Sequence, residues 1–429
     1  MVMIFAFVVL LFLLFLRIPI AVATGAVGVV GLAWFQGWSP ALSQLGMIAT
    51  ETVLSYEFAV IPLFILMGNI ISRSGLAEEL YSATHALVGH YRGGLAITTI
   101  AASGGFSTFC GSSFATAATM SRIAYPSMKK FGYSDGLATG SIAAGGTLGI
   151  LIPPSIALVF YGIMTETDIG RLFIAGVLPG VLGVLFYIAA VLYVVHVKGD
   201  SDSRVKEATG KEKLQAIGQL WAFSLLIVLV LGGIYAGFFS PTESAGVGAV
   251  GAIVVTLIRG KFEWRNLLDA LEESAATTVS LVAILIGSLV FANLVNISNM
   301  PFHIVAWIES LDLSLIGVLL IMLALYFVLG AVLESISMLL LTVPVFYPVV
   351  AGMGMDLVWF GIIVVVATEI SLITPPVGLN VFVLKSVITD VDLKVIFRGV
   401  FPFLVADLFR LALIVAFPIV SLGLVEWME

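Results

Sequence analysis

Two short stretches carry the chemistry of this sequence. GTLGILIPPS, ending at Ser155, and SLITPPVGLN, ending at Asn380, each set two consecutive prolines inside an apolar run. Pro153-Pro154 and Pro375-Pro376 each remove two backbone donors and clash with the preceding turn, so a helix passing through them breaks. A break leaves free carbonyls at the end of one half-helix and free N–H groups at the start of the next. The first stretch offers the carbonyls of Gly149, Ile152 and Pro154, and the second offers Ser371, Thr374 and Pro376; hard cations prefer such oxygens. Four half-helix N-termini, at Ser112, Ser155, Ser335 and Val377, aim positive dipole ends at one region, which suits a carboxylate. The bland alternative is a pair of kinks in a packed bundle.

The spacing of the prolines argues against that alternative. From Pro126 to Pro153 is 27 residues, and from Pro348 to Pro375 is again 27. Tyr125-Pro126 recurs as Tyr347-Pro348 at an offset of 222 residues, the offset that also relates the two Pro pairs and links Pro19 to Pro241. One half of the chain is a distant copy of the other. Two related halves, each with an interrupted apolar segment, predict a secondary transporter with its binding site at the repeat interface.

The elements that position these breaks must lie in a membrane. The chain is 60% hydrophobic and 10% charged, with a mean hydropathy of +1.16, far from a soluble domain. Apolar stretches of roughly 20 residues, enough to cross a bilayer, recur at 2–16 with 18–36, 44–70, 133–163, 172–197, 214–237, 242–258, 274–297, 355–384 and 400–424. The first lacks a basic n-region and a cleavage site before Arg17, so a retained helix is expected rather than a signal peptide. Cys110 is the sole cysteine, which excludes an internal disulfide. The formal charge of −7 says little about partners, because orientation follows where Lys and Arg sit.

Those residues are unevenly placed. Arg73, Arg92, Lys129-Lys130, the segment Lys198 to Lys213, Arg259 with Lys261 and Arg265, and Lys385 to Arg398 mark one side, read as cytoplasmic. The stretches 37–43, 299–312 and 350–356 have no Lys or Arg and are assigned outside. YPSMKKFGYSD is basic while its repeat mate YPVVAGMGMDLV is not, so equivalent loops fall on opposite faces and the repeat is inverted. Residues 95–129 begin and end among basic residues and must enter the membrane and return, as a helical hairpin turning at Gly111-Ser112-Ser113. Its mate, 317–349, turns near Glu334 and opens on the other side. Non-helical backbone at membrane depth is tolerated where it is buried in protein or lines a wet cavity.

The fold class expected is therefore an all-α integral membrane protein: an inverted-topology repeat with two re-entrant hairpins and two Pro-broken helices. It divides into scaffold helices and a cytoplasmic arm (1–94), hairpin 1 and broken helix (95–163), a connecting helix and cytoplasmic linker (164–213), scaffold helices of the second repeat (214–316), hairpin 2 and broken helix (317–384), and a C-terminal helix (385–429). Both termini are expected in the periplasm. The mobile unit expected is 95–163 with 317–384, moving against a scaffold that includes 2–70 and 214–258.

Four segments, GSSFATAATM (111–120), LIPPSIALVFYG (151–162), FFSPTESAGVGA (238–249) and DLVWFGIIVVVATEISLITPPVGLNVF (356–382), closely resemble the large membrane (M) subunit of the tripartite ATP-independent periplasmic, or TRAP, transporters, elevator proteins of the ion-transporter superfamily. The resemblance covers essentially the whole chain. It implies uptake of an organic acid, such as a C4-dicarboxylate or sialic acid, driven by Na⁺ across the bacterial inner membrane. It also implies two partners, a periplasmic substrate-binding protein and a small four-helix membrane subunit (Q). By resemblance, Na⁺ ligation falls on Ser107, Ser112, Gly149, Ile152 and Pro154 at one site, and on Gly330, Ser371, Thr374 and Pro376 at the other. Ser113, Ser155, Glu334, Ser335 and Asn380 are the candidate substrate residues. Cys110 departs from the family, where Ser is expected; backbone ligation there survives the change and hydroxyl ligation does not.

Other residues invite less. Glu334 at the second tip is read as a helix cap in preference to a cation neighbour, although an intramembrane carboxylate is functional by default. Glu369 and Asp407 lie in apolar runs without a partner identifiable from sequence. Arg122 reads as an interfacial anchor. His85, His90, His196 and His303 are scattered, which argues against a metal site or proton relay, and Trp34, Trp38, Trp307 and Trp359 suit an interfacial belt. No G-x-x-x-x-G-K-[ST] motif occurs, so the chain carries no recognisable ATP motor. Neither an enzyme activity, an organic cofactor nor a nucleic-acid partner is expected. A stand-alone Na⁺/carboxylate symporter and a channel or structural membrane protein are the competing readings.

Overall fold

The computed structural model describes residues 2–197, 207–310, 314–330 and 333–428, and these form helices with no strand among them. The first half runs α1 (Val2–Phe15), α2 (Ile20–Gln36), α3 (Trp38–Leu54), α4 (Val60–Arg73), α5 (Leu76–Val88), α6 (Gly94–Cys110), α7 (Ser113–Lys130), α8 (Asp135–Thr147), α9 (Ile156–Thr165) and α10 (Ile169–Val197). A polar α11 (Gly210–Gln219) follows, opened by a capping box between Thr209 and Glu212. The second half runs α12 (Trp221–Ile227), a π-turn at Val228–Gly232, α13 (Gly233–Tyr235), α14 (Pro241–Ile258), α15 (Trp264–Ile297), α16 (Met300–Ser310), α17 (Leu315–Gly330), α18 (Ser335–Gly352), α19 (Leu357–Ser371), α20 (Leu379–Val387), α21 (Leu393–Ala416) and α22 (Ile419–Met428).

The 222-residue offset holds element by element. It carries α7 onto α18 at both ends, α2 onto α14, α6 onto α17, α8 and α9 onto α19 and α20, and α10 onto α21. Between the base of the α6–α7 hairpin and that of the α17–α18 hairpin, the described helices read as five passages: α8 with α9, α10, α12 with α13, α14, and α15. An odd number of passages puts the two hairpins on opposite sides, as an inverted repeat requires. The chain is a multi-pass membrane protein, with helices such as Ile169–Val197, Trp264–Ile297 and Leu393–Ala416 long and apolar enough to span.

Several boundaries differ from the apolar runs, each for a local reason. The run 44–70 is two helices bent by 61°, because the ring of Pro62 in the first turn of α4 obstructs helix upstream of it. Its repeat mate holds Ile284 at that position, and α15 is unbroken over 34 residues. α15 starts at Trp264, ten residues before the apolar stretch at 274, because WRNLLDALEE is a polar helix continuous with an apolar one. The run 400–424 is interrupted at Phe417-Pro418, so α21 and α22 are separate. Of the predicted linker, residues 198–206 lie outside the described residues.

Small residues set the close packing, as is usual between membrane helices. In one group α2 packs along α15 and the repeat-related α14 packs along α4. A Cβ on Gly28 would fall 2.9 Å from the Phe291 amide nitrogen. In the other group α8 crosses α21 where Gly136 and Gly140 meet Gly399, backbone against backbone. Each hairpin's second arm crosses to the other repeat's half-helix, α18 onto α9 and α7 onto α20. At the basic end, Glu79 on α5 pairs with Arg259 and lies 3.1 Å from Lys261, and Arg73 pairs with Glu273 at 2.8 Å. Lys129 lies 2.6 Å from Asp135 between α7 and α8.

Candidate functional site

The first hairpin turns in two residues. Gly111 adopts φ +58°, a left-handed conformation that glycine takes without a side-chain penalty, and its N–H donates to the Ser107 carbonyl at 3.0 Å. Ser112 then caps α7, its Oγ accepting from the Ala115 N–H at 3.3 Å. In the second hairpin Ala331 and Val332 lie outside the described residues. Glu334 caps α18, its carboxylate accepting from the Ser337 N–H at 3.1 Å and from Ser335 Oγ at 2.9 Å. The capping role expected for Glu334 is the one observed.

The prolines act on defined carbonyls. Each removes the N–H that would have reached four residues back, so Pro153 and Pro375 orphan Gly149 and Ser371, and Pro154 and Pro376 orphan Ile150 and Leu372. Both Pro-Pro bonds are cis. Ile150 and Leu372 are recaptured by the half-helices that follow: Ser155 Oγ donates to the Ile150 carbonyl, and the Asn380 N–H donates to the Leu372 carbonyl at 3.1 Å. The Ser371 carbonyl takes a tighter bond from the Thr374 N–H at 3.2 Å. The carbonyls of Ile152, Pro154, Thr374 and Pro376 accept no backbone hydrogen bond among the described residues. They are four of the six carbonyls the sequence offers; that of Ser371 is taken by Thr374.

Each break is closed against the first arm of its own hairpin by a glycine and a serine. A Cβ on Gly149 would lie 2.7 Å from the Ser107 Cβ. One on Gly330 would collide with the Ser371 side chain. Gly149 and Ser371 are repeat mates, so the hydroxyl comes from the hairpin in one half and from the broken helix in the other. Ser107 Oγ donates to Ser103 O at 2.5 Å, Ser371 Oγ to Thr368 O at 2.7 Å and Thr374 Oγ1 to Ile370 O at 2.6 Å. With the proton committed to a helix carbonyl, each oxygen keeps lone pairs to offer a cation. The two pockets are not equal. Thr116 Oγ1 stands 3.6 Å from the Cβ position of Gly149 and is fully buried; its mate Met338 places a sulfur 3.2 Å from that of Gly330. A hydroxyl is a better ligand for a hard cation than a thioether.

Between the two tips lies a cavity of about 310 Å³. Ser112, Ser113, Glu334 and Ser335 line it from the hairpins, and Asn69, Glu273 and Thr277 line it from α4 and α15. Ser155 and Asn380 are buried and are not among its walls: Ser155 accepts from the Leu158 N–H at 3.2 Å, and Asn380 Nδ2 donates to Ala143 O at 3.3 Å. Thr116, Asn69, Glu273 and Thr277 escaped the sequence reading. Asn69 left a signal, a polar amide within FILMGNII. Thr116 left only its register with Met338.

The family profile described as the tripartite ATP-independent periplasmic transporter, DctM component, matches residues 7–420. The chain belongs to this family. The permease is 37% identical over 413 residues to the C4-dicarboxylate TRAP transporter large permease protein DctM of Pseudomonas aeruginosa, covering 94% of each chain. It is 32% identical over 388 residues to the sialic acid TRAP transporter large permease protein SiaM of Vibrio cholerae, covering 90% of this chain and 89% of that one. The Alcanivorax borkumensis YdaH transporter superposes on the permease with a TM-score of 0.63 at 14% identity, over 91% of this chain and 89% of its own. That likeness bears on the fold alone.

Proposed function

We propose that this permease is the translocating subunit of a Na⁺-coupled TRAP system, importing an organic acid of the C4-dicarboxylate or sialic acid class. In this reading a periplasmic binding protein delivers the substrate and a small four-helix membrane subunit completes the scaffold. The observation that carries it is the repeated unit of hairpin tip, glycine–serine closure and helix break, present once in each half with a polar cavity shared between them. The free carbonyls at the breaks, with Ser107, Ser112, Thr116, Gly149 and Gly330, Ser371, Thr374, bind Na⁺. The N-termini of α7 and α18, with Ser113 and Ser335, receive the carboxylate. No organic cofactor enters, and the chain is a carrier rather than an enzyme.

The moving unit comprises the hairpins and broken helices together with α10 and α21, joined to them through the Gly136–Gly140–Gly399 crossing. The scaffold comprises α1–α4 and α12–α15. In the bacterial inner membrane the basic connections face the cytoplasm and both termini face the periplasm. In a Cys110→Ser background, cysteines at Ser127 and Ala351 are then labelled by an impermeant thiol reagent from opposite sides; labelling from one side sinks the inverted orientation.

Proteoliposomes test the function. With the binding protein and small subunit present, labelled succinate or sialic acid accumulates only under an inward Na⁺ gradient. Equal uptake by this chain alone favours a stand-alone symporter. Equal uptake with Na⁺ replaced by K⁺ removes the sodium reading.

A further inference from the structure

The two broken helices are connected through the interior by five side chains that the proposed transport chemistry leaves unused. Thr147 ends α8 two residues before Gly149, and its repeat mate Glu369 stands on α19 two residues before Ser371. Between them lie Tyr187 on α10 and Asp407 and Arg410 on α21. Glu369, Asp407, Arg410, Tyr187 and Thr147 are all fully buried. Arg410 Nη2 donates to Glu369 Oε2 at 2.5 Å and lies 2.9 Å from Asp407 Oδ1, an ion pair whose angle falls short of a hydrogen bond. Tyr187 OH donates to Asp407 Oδ2 at 2.5 Å and sits 3.0 Å from Thr147 Oγ1. With the phenol proton committed to the carboxylate, Thr147 is the donor across that last gap. It can alternatively donate to its own helix, to Ala144 O at 2.8 Å. The room for the guanidinium is specific: a Cβ on Gly183 would collide with Arg410 Nη1.

We infer that Thr147, Tyr187, Asp407, Arg410 and Glu369 are positioning residues that couple the two helix breaks, so that cation occupancy at one sets the geometry of the other. The inference rests on the sodium reading of the breaks. Its physical basis is that a buried charge separated from its partner is strongly destabilising, so the chain of contacts moves as one piece. A rotation of the last turn of α8 reaches the last turn of α19 through Tyr187 and Arg410. The Thr147 hydroxyl, with two acceptors in reach, is the joint. Coupling of this kind is reciprocal: each site raises the other's affinity by the same factor.

Equilibrium binding of radioactive sodium to the full chain in lipid nanodiscs tests this. The wild type is expected to bind with a Hill coefficient above one. Tyr187→Phe and Thr147→Val each delete one hydroxyl and keep every charge; both are expected to lower the coefficient to about one and to raise half-saturation by roughly fivefold or more. Thr147→Ser, which restores the hydroxyl, is expected to restore cooperativity, a rescue that loss of packing alone does not predict. A cooperative wild type with unchanged Tyr187→Phe and Thr147→Val overturns the coupling while leaving the sodium reading intact. A wild type that binds no sodium overturns the sodium reading and the coupling with it.

Discussion

Arg410→Ala is expected to remove most of the folded protein, before any question of transport arises. Arg410, Glu369 and Asp407 are fully buried, and the arginine is the only cation among them. Deleting it leaves two carboxylates in an apolar interior with no counter-charge. Breaking a buried pair in this way costs about 3–5 kcal/mol, a large part of the roughly 5–15 kcal/mol that holds a typical domain together. The monodisperse fraction extracted in detergent, followed by fluorescence size-exclusion, is the measurement. The same argument predicts rescue: Arg410→Met combined with Glu369→Gln and Asp407→Asn removes the charges together and is expected to recover much of the folded yield. Arg410→Ala protein as abundant and as heat-resistant as wild type would show that these charges are not held as a buried cluster.

Proline and glycine made the architecture legible, because they act on their own backbone and need no partner. The Pro pairs located both breaks, the offset of 222 residues located the repeat, and Gly111 with Ser112 located a tip that the structure turns at those residues. The glycine–serine closures were visible only as members of a resemblance, since nothing in the spacing says that Gly330 lies against Ser371. Glu369 and Asp407 were recognisable as buried carboxylates, yet their partner was not, although Arg410 stands three residues from Asp407 in the same apolar run. Pairing across α10, α19 and α21 is a property of packing, and a single sequence carries no trace of it. Helix ends were legible to within a residue where a cap decides them. At the second break α20 starts at Leu379 after Gly378, whose φ of +59° ends the irregular segment, where the sequence suggested Val377. The extension of α15 to Trp264 was missed because a criterion of apolarity ends a helix where its polar turns begin.

Linking the first hairpin tip to the scaffold is expected to abolish uptake, because the elevator proposed above requires the tip to travel. The scaffold walls of the shared cavity, Ile65 and Asn69 on α4 and Glu273, Thr277 and Leu281 on α15, lie toward the ends of those helices marked by Arg73 and by Arg259, Lys261 and Arg265. The tips therefore face the side assigned to the cytoplasm; on the reading proposed above, a substrate delivered from the periplasm reaches them by movement of the hairpins along the scaffold. Ala115 and Thr277 line the cavity from opposite partners. In a Cys110→Ser background, Ala115→Cys with Thr277→Cys, joined by a short reducible bifunctional thiol reagent, is the most direct test of an elevator in this permease. The predicted result is loss of uptake in proteoliposomes, recovery on reduction, and radioactive sodium binding retained throughout. Undiminished uptake by fully crosslinked protein would contradict the elevator and assign gating to the hairpin tips alone.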